Sequence, residues 1–114
     1  MISKPEPPPT DGTGDPLWPQ VIARYGAAYP EVAEAARERH EFGVAKYGTA
    51  LRAHNGRDWL VDALQEALDL IVYLEQGIAE SDGEDASDAA MMQRAAVNTA
   101  ALMLLMLRRR DHVG

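Results

Sequence analysis

Residues 57–76 constrain this chain most, because they contain no glycine or proline and repeat apolar residues at helical spacing. The apolar positions are Leu60, Leu64, Ala67, Ile71 and Leu74. We therefore predict a single helix over this stretch. Three carboxylates, Asp62, Glu66 and Asp69, follow one another at spacings of four and three residues and share one stripe of that helix. Since like charges repel at this spacing, the stripe indicates either a solvated polar face or a cation opposite it.

The preceding helix carries a second stripe with the same spacing. Its pattern predicts a helix over residues 31–47 that begins after a proline and stops at a glycine. Glu34, Glu38 and Glu41 repeat the spacings of four and three residues. One acidic face is ordinary, but two matched faces on successive helices favour a metal site. The alternative is a set of surface ion pairs between these glutamates and nearby arginines, which would contribute only ~0–1 kcal/mol each.

The rest of the chain completes a small all-α protein. Residues 1–15 hold four prolines and few large apolar side chains, which predicts a flexible tail. Residues 16–114 are then one helical domain, with a short helix over 19–25 and a last helix from about residue 85 to 110. Residues 100–107 are too apolar to be exposed on a monomer, so we expect the last helix to be buried between copies of the chain.

Charge and composition exclude several classes of protein. The net charge is −7, from 18 acidic and 11 basic residues, which argues against binding a nucleic-acid polymer. There is no cysteine, and therefore no disulfide or zinc–thiolate site. The N-terminus lacks the apolar core of a signal peptide, and the longest apolar run is shorter than the ~20 residues that span a bilayer. We expect a soluble cytoplasmic protein that binds no membrane.

The loop between the two acidic helices holds the candidate substrate-binding residues. Lys46 and Arg57 are predicted to contact phosphates, and Asn55 to contact the ligand together with the amides of the loop. Tyr47 and Trp59 are candidate stacking partners for a base, although aromatic residues pack in cores more often. The alternative is an ordinary surface loop with solubilising charges.

Paired acids on neighbouring helices suit a hard cation such as Mg²⁺, which takes a few carboxylates and completes its shell with water and phosphates. Glu38 with Glu41, and Glu66 with Asp69, form two such pairs at a spacing of three residues. A di-iron carboxylate bundle would need Glu-x-x-His on two helices. None of the three histidines follows a glutamate at that distance, so this class is excluded.

The pattern Glu38-x-x-Glu41 followed by Glu66-x-x-Asp69 resembles the metal-binding signature of the MazG-like all-α nucleoside triphosphate pyrophosphohydrolases. Further segments are similar to the short phage-type members described as dATP/dGTP diphosphohydrolases: Lys46-Tyr47-Gly48, Asn55-Gly56-Arg57-Asp58 and Val72-Tyr73-Leu74. The resemblance covers about residues 31–76.

The resemblance implies a MazG-like helical bundle, whose four-helix-bundle core is completed by oligomerisation, with a tetramer favoured over a dimer. It also implies hydrolysis of a (d)NTP, with a purine dNTP such as dGTP favoured, to the monophosphate and pyrophosphate. Mg²⁺ or Mn²⁺ would be the cofactor, and the location would be the cytoplasm of the host cell if the protein is phage-encoded.

By the same resemblance, Glu38, Glu41, Glu66 and Asp69 would be the catalytic metal ligands. Asp62 is added from the acidic stripe rather than from the signature, as a further ligand or an orienter of water. The competing interpretation is a non-catalytic helical oligomer that acts as a nucleotide- or partner-binding module.

Overall fold

The computed structural model of the protein describes residues 6–113. Its four helices, in chain order, are α1 (Leu17–Tyr25), α2 (Pro30–Tyr47), α3 (Trp59–Glu80) and α4 (Gly83–Val113). No strand occurs in this part of the chain, where one isolated bridge pairs Thr13 with Ala53. The predicted all-α class is therefore confirmed. Contacts divide the described residues into an N-terminal unit, residues 6–57, and a C-terminal unit, residues 58–113.

The helix bounds follow from local signals, with two main differences from the sequence prediction and shifts of up to three residues at other helix ends. Gly48 ends α2 in the left-handed conformation at φ 75°, as predicted. Asp58 caps α3 and accepts hydrogen bonds from the two amides of Leu60 and Val61. However, α3 continues past Gly77, where a Cβ would lie 3.7 Å from Ala89 of α4. Packing against α4 therefore outweighs the ~1 kcal/mol propensity cost of a glycine inside a helix. The second difference is that α4 begins at Gly83, two residues before the predicted start.

The C-terminal unit is an antiparallel pair of helices, α3 and α4. Its fully buried residues on α3 are Leu60 and Leu64, and its buried residues on α4 are alanines. Leu64, Ala67 and Ala100 form the centre of the core, with larger side chains packed around them. The buried positions on α3 are spaced by four and three residues and those on α4 by seven and four residues, as in a coiled-coil seam. The small alanines on α4 let its backbone approach α3 closely.

Most of α4 is exposed in the single chain. Its exposed large apolar residues are Met91, Met92, Val97, Leu102, Leu104 and Leu105. The segment Gly83–Asp111 is long and apolar enough to cross a membrane by length and composition alone. The run of residues 100–107, which is shorter than a membrane span, therefore underestimates the apolar length of α4. Helices of the same composition also form the cores of soluble bundles, and the cytoplasmic location stays a prediction.

The N-terminal unit packs α1 on α2. Ala33 and Ala36 are its buried residues on α2, and a Cβ on Gly26 after α1 would lie 3.4 Å from that of Ala33. Small side chains at this junction allow the two short helices to lie close together. Within this unit, the loop after α2 runs from residue 48 to 57 and also contacts the N-terminal segment.

Residues 6–15, for which composition predicts a flexible tail, hydrogen-bond to that loop. The backbone N–H groups of three residues donate to loop carbonyls: Thr10 to Asn55 at 2.6 Å, Thr13 to Ala53 at 2.8 Å, and Leu17 to Leu51 at 2.8 Å. The segment therefore runs antiparallel to the loop. Its composition indicated no such order because the acceptors lie about 40 residues away in sequence. The remainder of the predicted tail, residues 1–5, lies outside the described residues.

Candidate functional site: acidic helix faces and a cationic cavity

The acidic stripe of α2 contains two kinds of carboxylate. Glu34 pairs with Arg37 at 3.3 Å, so the surface-pair interpretation applies to this residue. Glu38 and Glu41 are exposed and make no hydrogen bond or ion pair with another residue of the described chain. They are neighbours on the helix surface because they are three residues apart. This pair is therefore available to a cation.

The stripe of α3 shows the same division. Glu66 and Asp69 are exposed and, within residues 6–113, have no hydrogen-bonding or ionic partner. Asp62 differs, since it is half-buried in the first turn of α3. A carboxylate at that position is favoured by the positive end of the helix dipole. Asp62 therefore has a structural role in addition to the one predicted for it.

The donor chemistry of the two pairs fits a hard divalent cation. Mg²⁺ prefers oxygen ligands and is commonly held by one or two carboxylates, with water and substrate phosphates completing its shell. Within the described residues, no three His, Asp or Glu side chains form a group that could hold a metal ion alone. The α2 pair belongs to the N-terminal unit and the α3 pair to the C-terminal unit. Each pair by itself offers two carboxylates of the kind that such a cation takes, and the other ligands would have to come from elsewhere.

The N-terminal unit contains a cavity of about 810 Å³, the size of a small-molecule site. Its walls come from α2, from the loop after α2, from Trp18 and from residues 8–11. Arg39, Lys46 and Arg52 line it, against Asp11 as the one acid among its lining residues. The chain as a whole has an excess of acids, so the cavity has the opposite charge balance. This arrangement favours an anionic ligand.

Aromatic rings accompany the cations in this cavity. The ring of Phe42 lies beneath two cations, 5.4 Å from the Arg39 guanidinium and 5.9 Å from Lys46 Nζ. Lys46 Nζ also lies 5.2 Å from the centre of the Tyr47 ring. Tyr47 is 70% exposed, so its ring is not committed to a core. A planar ligand with negative charge matches these flat rings and cations.

His40 adds an unsatisfied polar atom to the cavity wall. Its Nδ1 is buried and makes no hydrogen bond in the described chain. An enclosed polar atom without a partner costs free energy.

The predicted substrate-binding residues divide into two groups. Lys46, Tyr47 and Asn55 line the cavity, whereas Arg57 and Trp59 are not among its lining residues. The Asn55 amide is occupied by its own loop: Nδ2 donates to the Arg52 carbonyl, and Oδ1 accepts from the Arg57 amide, both at 3.1 Å. Asn55 therefore holds the shape of the loop beside the cavity.

Arg57 contacts the N-terminal segment. Its Nη2 lies 3.2 Å from Glu6 Oε2, and its Nη1 donates to the Pro7 carbonyl at 3.0 Å. The Glu6 side chain is only 15% exposed, which makes this pair better shielded than a surface ion pair. The sequence predicted Arg57 as a phosphate contact, but in the structure it anchors the N-terminal segment.

Trp59 belongs to the C-terminal unit, where it begins α3. Its ring is exposed, and the Arg110 guanidinium lies 5.7 Å from the ring centre. The neighbouring Asp58 also binds Arg110. Burial alone would raise the pKa of Asp58, but the hydrogen bond and charge of Arg110 and the amides of Val61 and Leu60 hold the pKa below its usual value.

Several cavity residues were not predicted from the sequence. Arg39 and Phe42 have a local signal, because Arg39 and Lys46 lie three residues before and four residues after Phe42, where they can contact its ring. His40 has no such signal. The contribution of residues 8–11 has no such signal. Their position depends on hydrogen bonds to a loop that is distant in sequence.

No protein-family model matches the chain, and no curated protein or solved structure is significantly similar to it.

Proposed function

We propose that this protein is a metal-dependent nucleoside triphosphate diphosphohydrolase that converts a (d)NTP, with a purine dNTP such as dGTP favoured, to the monophosphate and pyrophosphate. The supporting observation is a combination on α2. This helix carries the unpartnered Glu38–Glu41 pair and also supplies Arg39, Phe42 and Lys46 to the cationic cavity. A site for a nucleoside triphosphate requires three kinds of group: carboxylates for a metal, cations for the phosphates and aromatic rings for the base.

In this proposal the Glu38–Glu41 pair and the Glu66–Asp69 pair would each supply metal ligands, and Asp62 would orient the water or add a further ligand. Bound Mg²⁺ or Mn²⁺ supplies charge neutralisation and lowers the pKa of a coordinated water. Water oxygen bonds to the α-phosphorus, the bond from that phosphorus to the α,β-bridging oxygen breaks, and pyrophosphate leaves. Lys46 and Arg39 offset the negative charge that develops on the leaving group. Tyr47 and Phe42 provide surfaces for the base.

The protein is proposed to act as a cytoplasmic homo-oligomer, with a tetramer favoured. Support comes from the large apolar residues that α4 leaves exposed in the single chain, because exposed apolar surface commonly marks an interface. In a four-helix bundle, two α3–α4 pairs would cover this face with each other. The MazG-like architecture is part of the same proposal.

The test is a panel of dNTPs and NTPs assayed for pyrophosphate release with Mg²⁺ and with Mn²⁺. Glu66→Gln and Asp69→Asn should each reduce the rate by two orders of magnitude or more, since each removes a negatively charged metal ligand. Glu34→Gln is the matched control, because Glu34 lies on the same kind of stripe but pairs with Arg37. Wild-type turnover in both α3 variants would show that these acids are not metal ligands.

A second candidate is a nucleotide-binding module without catalysis. It is favoured by one observation: the cationic residues that line the cavity could bind phosphates directly, with Asp11 as the one acid among the lining residues. This candidate predicts that dGTP raises the melting temperature equally with Mg²⁺ and with EDTA, since a ligand that binds only the folded state stabilises it. It also predicts no pyrophosphate release.

A further inference from the structure

The N-terminal segment, residues 6–13, is a structural part of the cavity. Four of its residues line the cavity together with the α2 residues that supply the cations: Pro8, Pro9, Thr10 and Asp11. The two prolines present apolar rings and lack N–H groups, so they add surface without adding unsatisfied donors. Removal of the segment from the loop would therefore leave the cavity without one of its walls.

Several anchors hold this segment in place. The amides of Thr10 and Thr13 donate to loop carbonyls at 2.6 and 2.8 Å. Beyond the end of the segment, Arg52 Nε donates to the Gly14 carbonyl at 3.2 Å. At its beginning, Arg57 binds the Glu6 carboxylate and the Pro7 carbonyl. Anchors at both ends enclose residues 8–11, which are the residues that line the cavity.

We propose that residues 6–13 form a required wall of the nucleotide site, and that Arg57 is a positioning residue that holds this wall through Glu6 and Pro7. The inference rests on the proposed function only in taking a nucleoside triphosphate as the occupant. It assigns the N-terminal segment to substrate binding. It also explains why the Arg57 side chain contacts the N-terminal segment and does not line the cavity.

Two glycines give a matched pair of variants. Gly12 and Gly14 both have φ of +79°, so an alanine is strained equally by the backbone at either position. A Cβ on Gly12 would lie 2.5 Å from the Ala53 carbonyl oxygen and 3.1 Å from Arg52 Cβ, whereas a Cβ on Gly14 meets nothing within 4 Å. Gly12→Ala therefore displaces the segment from the loop, and Gly14→Ala controls for backbone strain.

The experiment is an NMR titration of the full-length wild type and both variants with dGTP in EDTA and with its non-hydrolysable α,β-methylene analogue in Mg²⁺. Amide hydrogen exchange is measured at Thr10, Thr13 and Leu17 in the same proteins. In Gly12→Ala these amides should exchange faster, and dGTP should bind at least tenfold more weakly than in Gly14→Ala. Glu6→Gln, which removes the ion pair with Arg57, should weaken binding threefold or more.

Faster exchange in Gly12→Ala with an unchanged dissociation constant would overturn the proposal. A wild-type protein that binds neither dGTP in EDTA nor the analogue in Mg²⁺ would also overturn it. Pyrophosphate release is assayed separately on the same samples. A protein that binds dGTP in a segment-dependent way but releases no pyrophosphate would support the wall and refute the diphosphohydrolase. Pyrophosphate release by a protein whose dGTP binding does not depend on the segment would support the diphosphohydrolase and refute the wall.

Discussion

Arg110 Nη1 lies 2.9 Å from Oδ2 and 3.0 Å from Oδ1 of Asp58. The same carboxylate accepts hydrogen bonds from the first amides of α3. One side chain therefore satisfies the N-terminus of α3 and binds the last turns of α4. Because α3 carries Glu66 and Asp69, this contact helps to fix the helix that presents half of the proposed metal ligands.

Loss of the Asp58 cap should destabilise the protein. Asp58→Ala should lower the free energy of unfolding by about 1 kcal/mol, because two amides at the start of α3 lose their acceptor. Asp58→Asn should cost less, since asparagine also caps helices. Urea denaturation followed by circular dichroism measures both. Asp15→Asn, at an exposed position, is the control, and equal stability of Asp58→Ala and wild type would contradict the assigned cap.

The same residue predicts a pH dependence. The pKa of Asp58 is lowered in the folded protein from a reference value of 3.8, so ionised Asp58 stabilises the fold above that value. This stabilisation is lost as the pH falls below 3.8 through the folded pKa. Wild-type melting temperature should therefore decline more steeply below pH 4 than that of Asp58→Asn. Parallel pH profiles for the two proteins would exclude a contribution from Asp58.

The cationic wall of the cavity should determine nucleotide affinity. Lys46→Gln and Arg39→Gln each remove one positive charge from the cavity lining and should raise KM for the triphosphate about tenfold, the effect of losing a charge-assisted hydrogen bond. Arg24→Gln is the control, because Arg24 is exposed at the end of α1 and does not line the cavity. Steady-state kinetics give the values, and a KM unchanged in both cavity variants would remove these residues from the site.

The core of the C-terminal unit should be sensitive to cavity formation. Leu64 is fully buried at 0% exposure, so Leu64→Ala should destabilise the protein by roughly 2–5 kcal/mol. Val32→Ala, at an exposed position on α2, should change stability by no more than about 0.5 kcal/mol. Denaturant titration measures both variants. Similar costs at the two positions would mean that Leu64 does not lie in a packed core.

The exposed face of α4 should mediate assembly. Leu102 is 63% exposed in the single chain, and Leu102→Glu would place an unpaired charge in an apolar interface between copies. Light scattering after size exclusion should show an oligomer for wild type and a smaller species for Leu102→Glu. Ser87→Glu adds the same charge at an exposed position next to the acidic first turn of α4 and should leave the mass unchanged. A monomeric wild type would refute the oligomer.

Helix type and most helix bounds could be predicted from the sequence, because their causes are local. The proline at the first position of α2, the glycine after this helix and the apolar repeat of α3 act within a few residues of the positions they control. The acidic spacing on α2 and α3 is equally local, since helical geometry alone puts Glu38 beside Glu41 and Glu66 beside Asp69.

Tertiary structure decided which of the predicted ligand-binding side chains have partners within the chain. Arg57 and Asn55 were candidate ligand contacts by composition, yet Arg57 anchors Glu6 and Asn55 closes its own loop. Residues 8–11 carried no local signal and line the cavity because hydrogen bonds from about 40 residues away hold their segment there. Local sequence determined the helices and the order of their acids, because turn-by-turn geometry depends on near neighbours. The cavity depended on long-range contacts, whose partners no local pattern identifies.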